Sequence, residues 1–78
     1  MTKFTTTERC PVLAREITRK GDRFELGSRI YELRRVSTLD RPGLVVLEVY
    51  NETLDFDVAL QIPVAETVHL ITQTVKEV

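Results

Sequence analysis

Residues 17–33 read ITRKGDRFELGSRIYEL, and the way this stretch folds back on itself decides the fold class. Gly27-Ser28 has the composition of a two-residue hairpin turn of type I′ or II′, in which glycine supplies the positive φ that the turn requires. Closing the hairpin there sets Leu26 opposite Arg29, Glu25 opposite Ile30, Phe24 opposite Tyr31 and Arg23 opposite Glu32. Side chains alternate between the faces of a strand. Phe24, Leu26, Tyr31 and Leu33 therefore gather on one side, and Arg23 and Glu32 form a charge pair on the other. Lys20-Gly21-Asp22 is the tight turn that leads in.

The period of two continues outward from this hairpin. Residues 30–39 extend the second strand as far as Asp40-Arg41-Pro42-Gly43, where Pro42-Gly43 suits the central positions of a type II turn. Residues 44–50 form the next strand, with Val36 opposite Leu47 and Arg35 opposite Glu48. Asn51-Glu52-Thr53-Leu54 makes another turn, and DFDVALQIP (55–63) then alternates Phe56, Val58, Leu60 and Ile62 against Asp55, Asp57, Ala59 and Gln61. Pro63 ends that strand, Val64-Ala65-Glu66 is expected as a single helical turn, and residues 67–71 form the closing strand. The tail from Thr72 either extends it or forms a short helix. At the other terminus, residues 1–9 are threonine-rich and read as an arm or edge strand, leaving 10–78 as one domain.

Strands this short and evenly spaced, with almost no helix between them, predict an all-β fold. We expect a small SH3-like barrel of five or six antiparallel strands, with an OB-like barrel or split β-sandwich as the alternative. Closure is expected because it removes the exposed edges of an open sheet.

Gly21-Asp22-Arg23-Phe24, Gly27, Tyr31-Glu32-Leu33, Arg41-Pro42-Gly43 and VYNETLDFDV (49–58) carry a resemblance. The segment from Lys20 to Leu70 resembles the N-terminal SH3-like domain of bacterial elongation factor P, and more loosely small stand-alone actinobacterial and phage barrel proteins. The resemblance implies a small SH3-like barrel. It does not carry over the factor's function, because the family's loop lysine after Pro-Gly is replaced here by Leu44 directly after Pro42-Gly43.

Composition bounds the rest. The chain has 78 residues, 42% hydrophobic and 29% charged, as expected for one small globular core. Its longest apolar run is Leu44-Val45-Val46-Leu47, far short of the ~20 residues of a membrane helix. The N-terminal residues lack a signal-peptide core, so a cytoplasmic protein is expected. One cysteine, Cys10, and one histidine, His69, allow neither an internal disulfide nor a Cys/His zinc set, and no metal or cofactor is expected. Charge is split along the chain: residues 1–41 hold ten basic and six acidic side chains, residues 42–78 one and six. Such a split marks either a surface for nucleic acid or another anionic partner on one side of the fold, or strands paired across the two halves that neutralise each other.

Nucleophilic catalysis would need Cys10, Ser28 or Ser37 beside His69, and His69 between Val68 and Leu70 reads as an ordinary exposed strand residue. Glu48, Glu52, Asp55 and Asp57 surround one hairpin, but the alternation of Asp55 and Asp57 with Phe56 and Val58 reads as a solvated face. The glycines lack phosphate-loop spacing. No enzyme is expected. The expected function is a binding module, a small bacterial or phage accessory protein that engages another protein through Arg19, Arg23, Arg29, Arg34, Arg35 and Arg41, with loops 27–29 and 40–43 shaping the surface. The alternative is a nucleic-acid-binding barrel that adds Arg15 and Lys20 to those six arginines, with Phe24, Tyr31 or Tyr50 stacking on bases, although the pI of 5.8 weighs against it. A third class is a homo-oligomeric structural or small-molecule-binding barrel, in which the N-terminal arm and the strand at 44–49 add an edge to a neighbour.

Overall fold

The computed structural model describes residues 2–38 and 41–77. Six strands, β1 (Lys3–Leu13), β2 (Arg23–Leu26), β3 (Arg29–Val36), β4 (Leu44–Asn51), β5 (Phe56–Pro63) and β6 (Thr67–Glu77), form one antiparallel sheet in the order β1-β6-β2-β3-β4-β5. The all-β expectation holds. The expected closure does not: β1 and β5 are the two ends of the sheet and no ladder joins them, so the sheet is open.

The hairpin that opens the reading forms in the expected register, Arg23↔Glu32 through Leu26↔Arg29. Its turn is of the I′ kind, with positive φ at both Gly27 (59°) and Ser28 (65°). In the β3–β4 connection the Leu44 amide donates to the Arg41 carbonyl at 3.1 Å and Gly43 has φ +75°, the geometry of a type II turn around Pro42-Gly43. Leu39 and Asp40, which the expected strand and turn included, lie outside the described residues. Val36↔Leu47 and Arg35↔Glu48 pair as expected. The register shifts between Leu33 and Arg35, so Arg34 is the extra residue of a β-bulge. Strict alternation from buried Leu33 would turn Arg35 into the core. The bulge instead puts Arg34 and Arg35 together on the outer face and returns Val36 to the face of Leu47.

At the C-terminal end one expectation is corrected and one open alternative is decided. Residues 64–66 form no helical turn but a β-turn, closed by the Glu66 amide on the Pro63 carbonyl at 2.9 Å. The tail from Thr72 extends β6 to Glu77. One short 3₁₀ helix, Ala14–Glu16, was not anticipated. The Glu16 carboxylate accepts from the Leu13 amide at 2.7 Å and holds this turn against the end of β1.

All six strands supply one apolar cluster. Phe24, Tyr31, Leu33, Leu47, Val49, Ile62 and Val68 are buried in it, Val12 packs against it, and Ala14 and Ile17 cover one end. The Phe24 and Tyr31 rings stack with centroids 5.5 Å apart. Beyond this cluster the two terminal strands run on alone. The six cross-strand pairs from Lys3↔Glu77 to Glu8↔Thr72 are exposed at every residue, and at ~3.3 Å per residue they make a ribbon about 20 Å long. Accordingly the molecule measures 50 × 24 × 21 Å, and its radius of gyration of 13.8 Å exceeds the ~11.5 Å expected of a compact chain of this length.

Candidate functional site: sheet edges and the charged outer face

The outer face of the sheet is laced with opposite charges. Arg23 donates from Nε and Nη2 to both oxygens of Glu52, at 2.8 and 2.9 Å, in a bidentate fork. The hydrogen bond to Glu52 raises the Arg23 pKa above its ordinary value, against the opposing effect of partial burial. Arg35 pairs with Glu48 at 2.6 Å, Arg9 with Glu25 at 3.0 Å, and Arg34 with Glu32 at 3.2 Å while reaching Asp57 at 4.0 Å. The Arg34 guanidinium also lies 5.2 Å from the centre of the Tyr50 ring. The Tyr50 hydroxyl donates to Asp55, and this bond raises the Tyr50 pKa.

Neutralisation between the two halves of the chain is thus what the fold does with its charge asymmetry, since Arg23, Arg34 and Arg35 each meet an acid from residues 48–57. The expected Arg23–Glu32 pair is replaced. Glu32 lies across from Arg23 in the ladder but bonds Arg34, because Glu52 offers Arg23 two oxygens in the plane of the guanidinium. Glu52 is held there by the turn that contains it: buried Asn51 accepts the Thr53 and Leu54 amides on Oδ1, both at 3.0 Å, and Asp55 has φ +58°.

Six arginines were singled out in the sequence, and the structure does not bring them into one patch. Arg23, Arg34 and Arg35 are paired with acids. Arg19 and Arg29 are exposed and hold no ion pair among the described residues, and Arg29 and Arg41 lie at opposite ends of β3. Phe24 and Tyr31 are in the core, out of reach of a base, and Tyr50 is half-buried beside Arg34. Cys10 and His69 are brought near each other in the β1–β6 ladder, where His69 pairs with Pro11 and Cys10 with Leu70, but neighbouring pairs point to opposite faces. Among the described residues no three of His, Cys, Asp and Glu converge to hold a metal. The four carboxylates of the β4–β5 hairpin each face a different partner: Glu48 meets Arg35, Glu52 meets Arg23, Asp55 meets Tyr50 and Asp57 meets Arg34.

The sequence reading offered an edge strand at residues 1–9, and β1 is one edge of the sheet; the edge it did not locate is β5. Just past β1 the Ala14 amide bonds the Glu66 carbonyl at 2.8 Å, and alternation along an antiparallel ladder makes the even residues of β1 those that bond β6. The backbone groups of Lys3, Thr5, Thr7, Arg9 and Pro11 therefore point away from the sheet. In β5 the Val64 amide bonds the Gly43 carbonyl at 3.1 Å; by the same alternation Asp57, Ala59, Gln61 and Pro63 point outward. Both prolines occupy outward positions, where the missing N–H costs no ladder bond. That placement was the available sequence signal for two edges, since a proline inside a run of alternation marks an edge strand. The expected edge at residues 44–49 is corrected, because β4 lies between β3 and β5.

Beside the β5 edge lies an open groove of about 460 Å³, lined by Arg34, Glu48, Val49, Asp57, Val58 and Ala59. Phe4 and Val75 on the ribbon are 54% and 62% exposed. No helix among the described residues is long and apolar enough to cross a membrane. Comparison with known protein families, with characterised proteins and with solved structures gives no match for this chain.

Proposed function

We propose that this protein is a non-enzymatic binding module whose target is another protein. The observation that carries the reading is the projecting β1–β6 ribbon, whose outer strand presents the free backbone groups of Lys3, Thr5, Thr7 and Arg9 with no apolar core beneath it. A two-stranded ribbon is marginal in water by itself. A strand added along its edge satisfies those groups and supplies the missing cover. Arg19, Arg29 and Arg41 are exposed and act at the rim of such a contact, while Arg23, Arg34 and Arg35 set the charge pattern of the outer face through their acids. Neutralised arginines favour a protein over a polyanion, because counterion release needs unpaired cations. The likeness to the N-terminal domain of elongation factor P rests on turn residues and adds only the analogy of a small all-β domain.

The test is affinity capture from host lysate with the tagged full chain beside a Thr7→Pro variant, plus titration with a mixed-sequence DNA duplex. A protein retained by the wild type and lost from the variant is the expected result. No retained protein, together with DNA binding that falls steeply with salt, replaces this reading with the nucleic-acid one.

A further inference from the structure

Arg9, Ile71, Arg23, Glu32, Tyr50 and Asp57 form one lateral row across all six strands, each paired with the next. The row starts at the free edge of β1 with Arg9, a cation whose side chain is 53% exposed while pairing with Glu25 at 3.0 Å, and ends with an anion at the free edge of β5. Asp57 has a side chain 80% exposed and lies 4.0 Å from Arg34 Nε, a long contact for an ion pair. The neighbouring row, Cys10, Leu70, Phe24, Tyr31, Asn51 and Phe56, lies on the core side and ends on exposed Phe56.

From this we infer that the free edge of β1 in one copy pairs with the free edge of β5 in a second copy, joining the chains head to tail into a continuous antiparallel sheet. The inference rests on the protein-binding reading and names its partner. Three features fit together. First, every neighbouring pair of strands is antiparallel and there are six strands, so β1 and β5 run in opposite directions. A second copy added without turning the sheet over continues the alternation.

Second, the parity agrees. Outward backbone groups sit at odd positions on both edges, and even side chains face the core on both. Setting Arg9 opposite Asp57 brings Thr7 to Ala59, Thr5 to Gln61 and Lys3 to Pro63 on the hydrogen-bonding positions. It also lays Phe4 beside Ile62 and Thr6 beside Leu60 on the core side. The ribbon segment Lys3–Arg9 then spans β5 almost end to end, and the open groove beside Asp57 and Ala59 gives the Arg9 side chain room.

Third, charge selects this partner over the symmetric one. A fully overlapped, two-fold pairing of Lys3–Arg9 with itself puts Lys3 opposite Arg9 at both ends, and like charges directly across a ladder repel. β5 (FDVALQIP) holds one charge, Asp57, and no cation. The head-to-tail contact is heterologous, so it builds a ring or an open chain.

The experiment is light scattering after size exclusion on the full chain over a concentration series, with edge-blocking prolines. Thr7→Pro and Ala59→Pro each remove one outward N–H and no ladder bond within the chain, as Pro11 and Pro63 already do. Head-to-tail pairing predicts that the wild type assembles, that each variant alone is a 9.0 kDa monomer, and that mixing the two yields a 1:1 heterodimer through the one intact contact. Assembly that survives Ala59→Pro while Thr7→Pro abolishes it means two-fold pairing and overturns the inference. A wild type that stays monomeric overturns it as well; capture of a Thr7-dependent protein from lysate would then leave the broader reading standing, and absence of capture would end both. Charge reversal gives a second measurement that does not depend on proline. Asp57→Arg and Arg9→Asp should each weaken assembly by about tenfold, and the double variant should recover it. Circular dichroism of each variant identifies any that fails to fold, and the charge set then decides.

Discussion

Replacing Asn51 by alanine tests how the β4–β5 turn is held. Asn51 is buried, and its Oδ1 accepts two backbone amides, Thr53 and Leu54, at 3.0 Å each. Alanine keeps the strand and removes both acceptors. A net contribution of about 1 kcal/mol per hydrogen bond puts the loss at ~2 kcal/mol. The two freed amides are in an exposed turn and regain water, so the penalty of a dry unpaired donor is not added. For a chain of this size the urea m-value is about 1 kcal/mol/M, and the unfolding midpoint should fall by ~2 M at unchanged m. Hydrogen exchange by NMR separates the local cause from global loss: Thr53 and Leu54 amides should lose protection beyond the uniform decrease of the core strands. A midpoint shift below about 0.5 M, or continued protection of those two amides, refutes the reasoning and means that the Asp55 amide on the Asn51 carbonyl at 2.8 Å suffices to hold the turn.

Three further outcomes follow from the same geometry. At the β2–β3 turn, Gly27 has φ +59° with open space around it, so Gly27→Ala costs backbone strain without a clash, about 1 kcal/mol, whereas Ser28→Gly relieves the strain of φ +65° and raises the thermal midpoint by a few degrees. Glu52→Gln should lower stability by about 0.5–1 kcal/mol, while Arg35→Met should change it by less than ~0.5 kcal/mol. Both pairs are short, but the side chains of Arg23 and Glu52 are 32% and 26% exposed against 73% and 40% for Arg35 and Glu48, and urea titrations of the two variants check the order. The Tyr50 phenol, held neutral chiefly by its hydrogen bond to Asp55, should ionise above the usual tyrosine range of about 10. Because the folded pKa is the higher one, the linked stability is full below pH ~10 and is lost as pH rises through the raised value. NMR titration of the Tyr50 ring carbon measures it, and Asp55→Asn should bring it down.

Local pattern determined most of the ladder. Gly27-Ser28 reads as a two-residue hairpin turn and Pro42-Gly43 as a type II turn, and with the alternation around them the registers of β2–β3 and β3–β4 are readable from residues 23–50 alone, because a slip by one residue would carry every apolar side chain to the solvent. Those registers even contain the Arg34 bulge implicitly: Leu33 and Val36 can both face the core only if one extra residue lies between them. Cross-strand neutralisation was legible in the same way, as a charge split between two halves that must pair. Tertiary structure decided the partner of each charge, since Arg23 turns from its ladder neighbour Glu32 to Glu52 once the turn after Asn51 presents both oxygens. Whether the sheet closes was likewise a tertiary outcome. Alternation specifies faces and register, which are properties of adjacent strands, whereas closure depends on twist and curvature accumulated over six strands around one small core. In this chain the ends of that sheet are β1 and β5, left free with opposite charges at their edges.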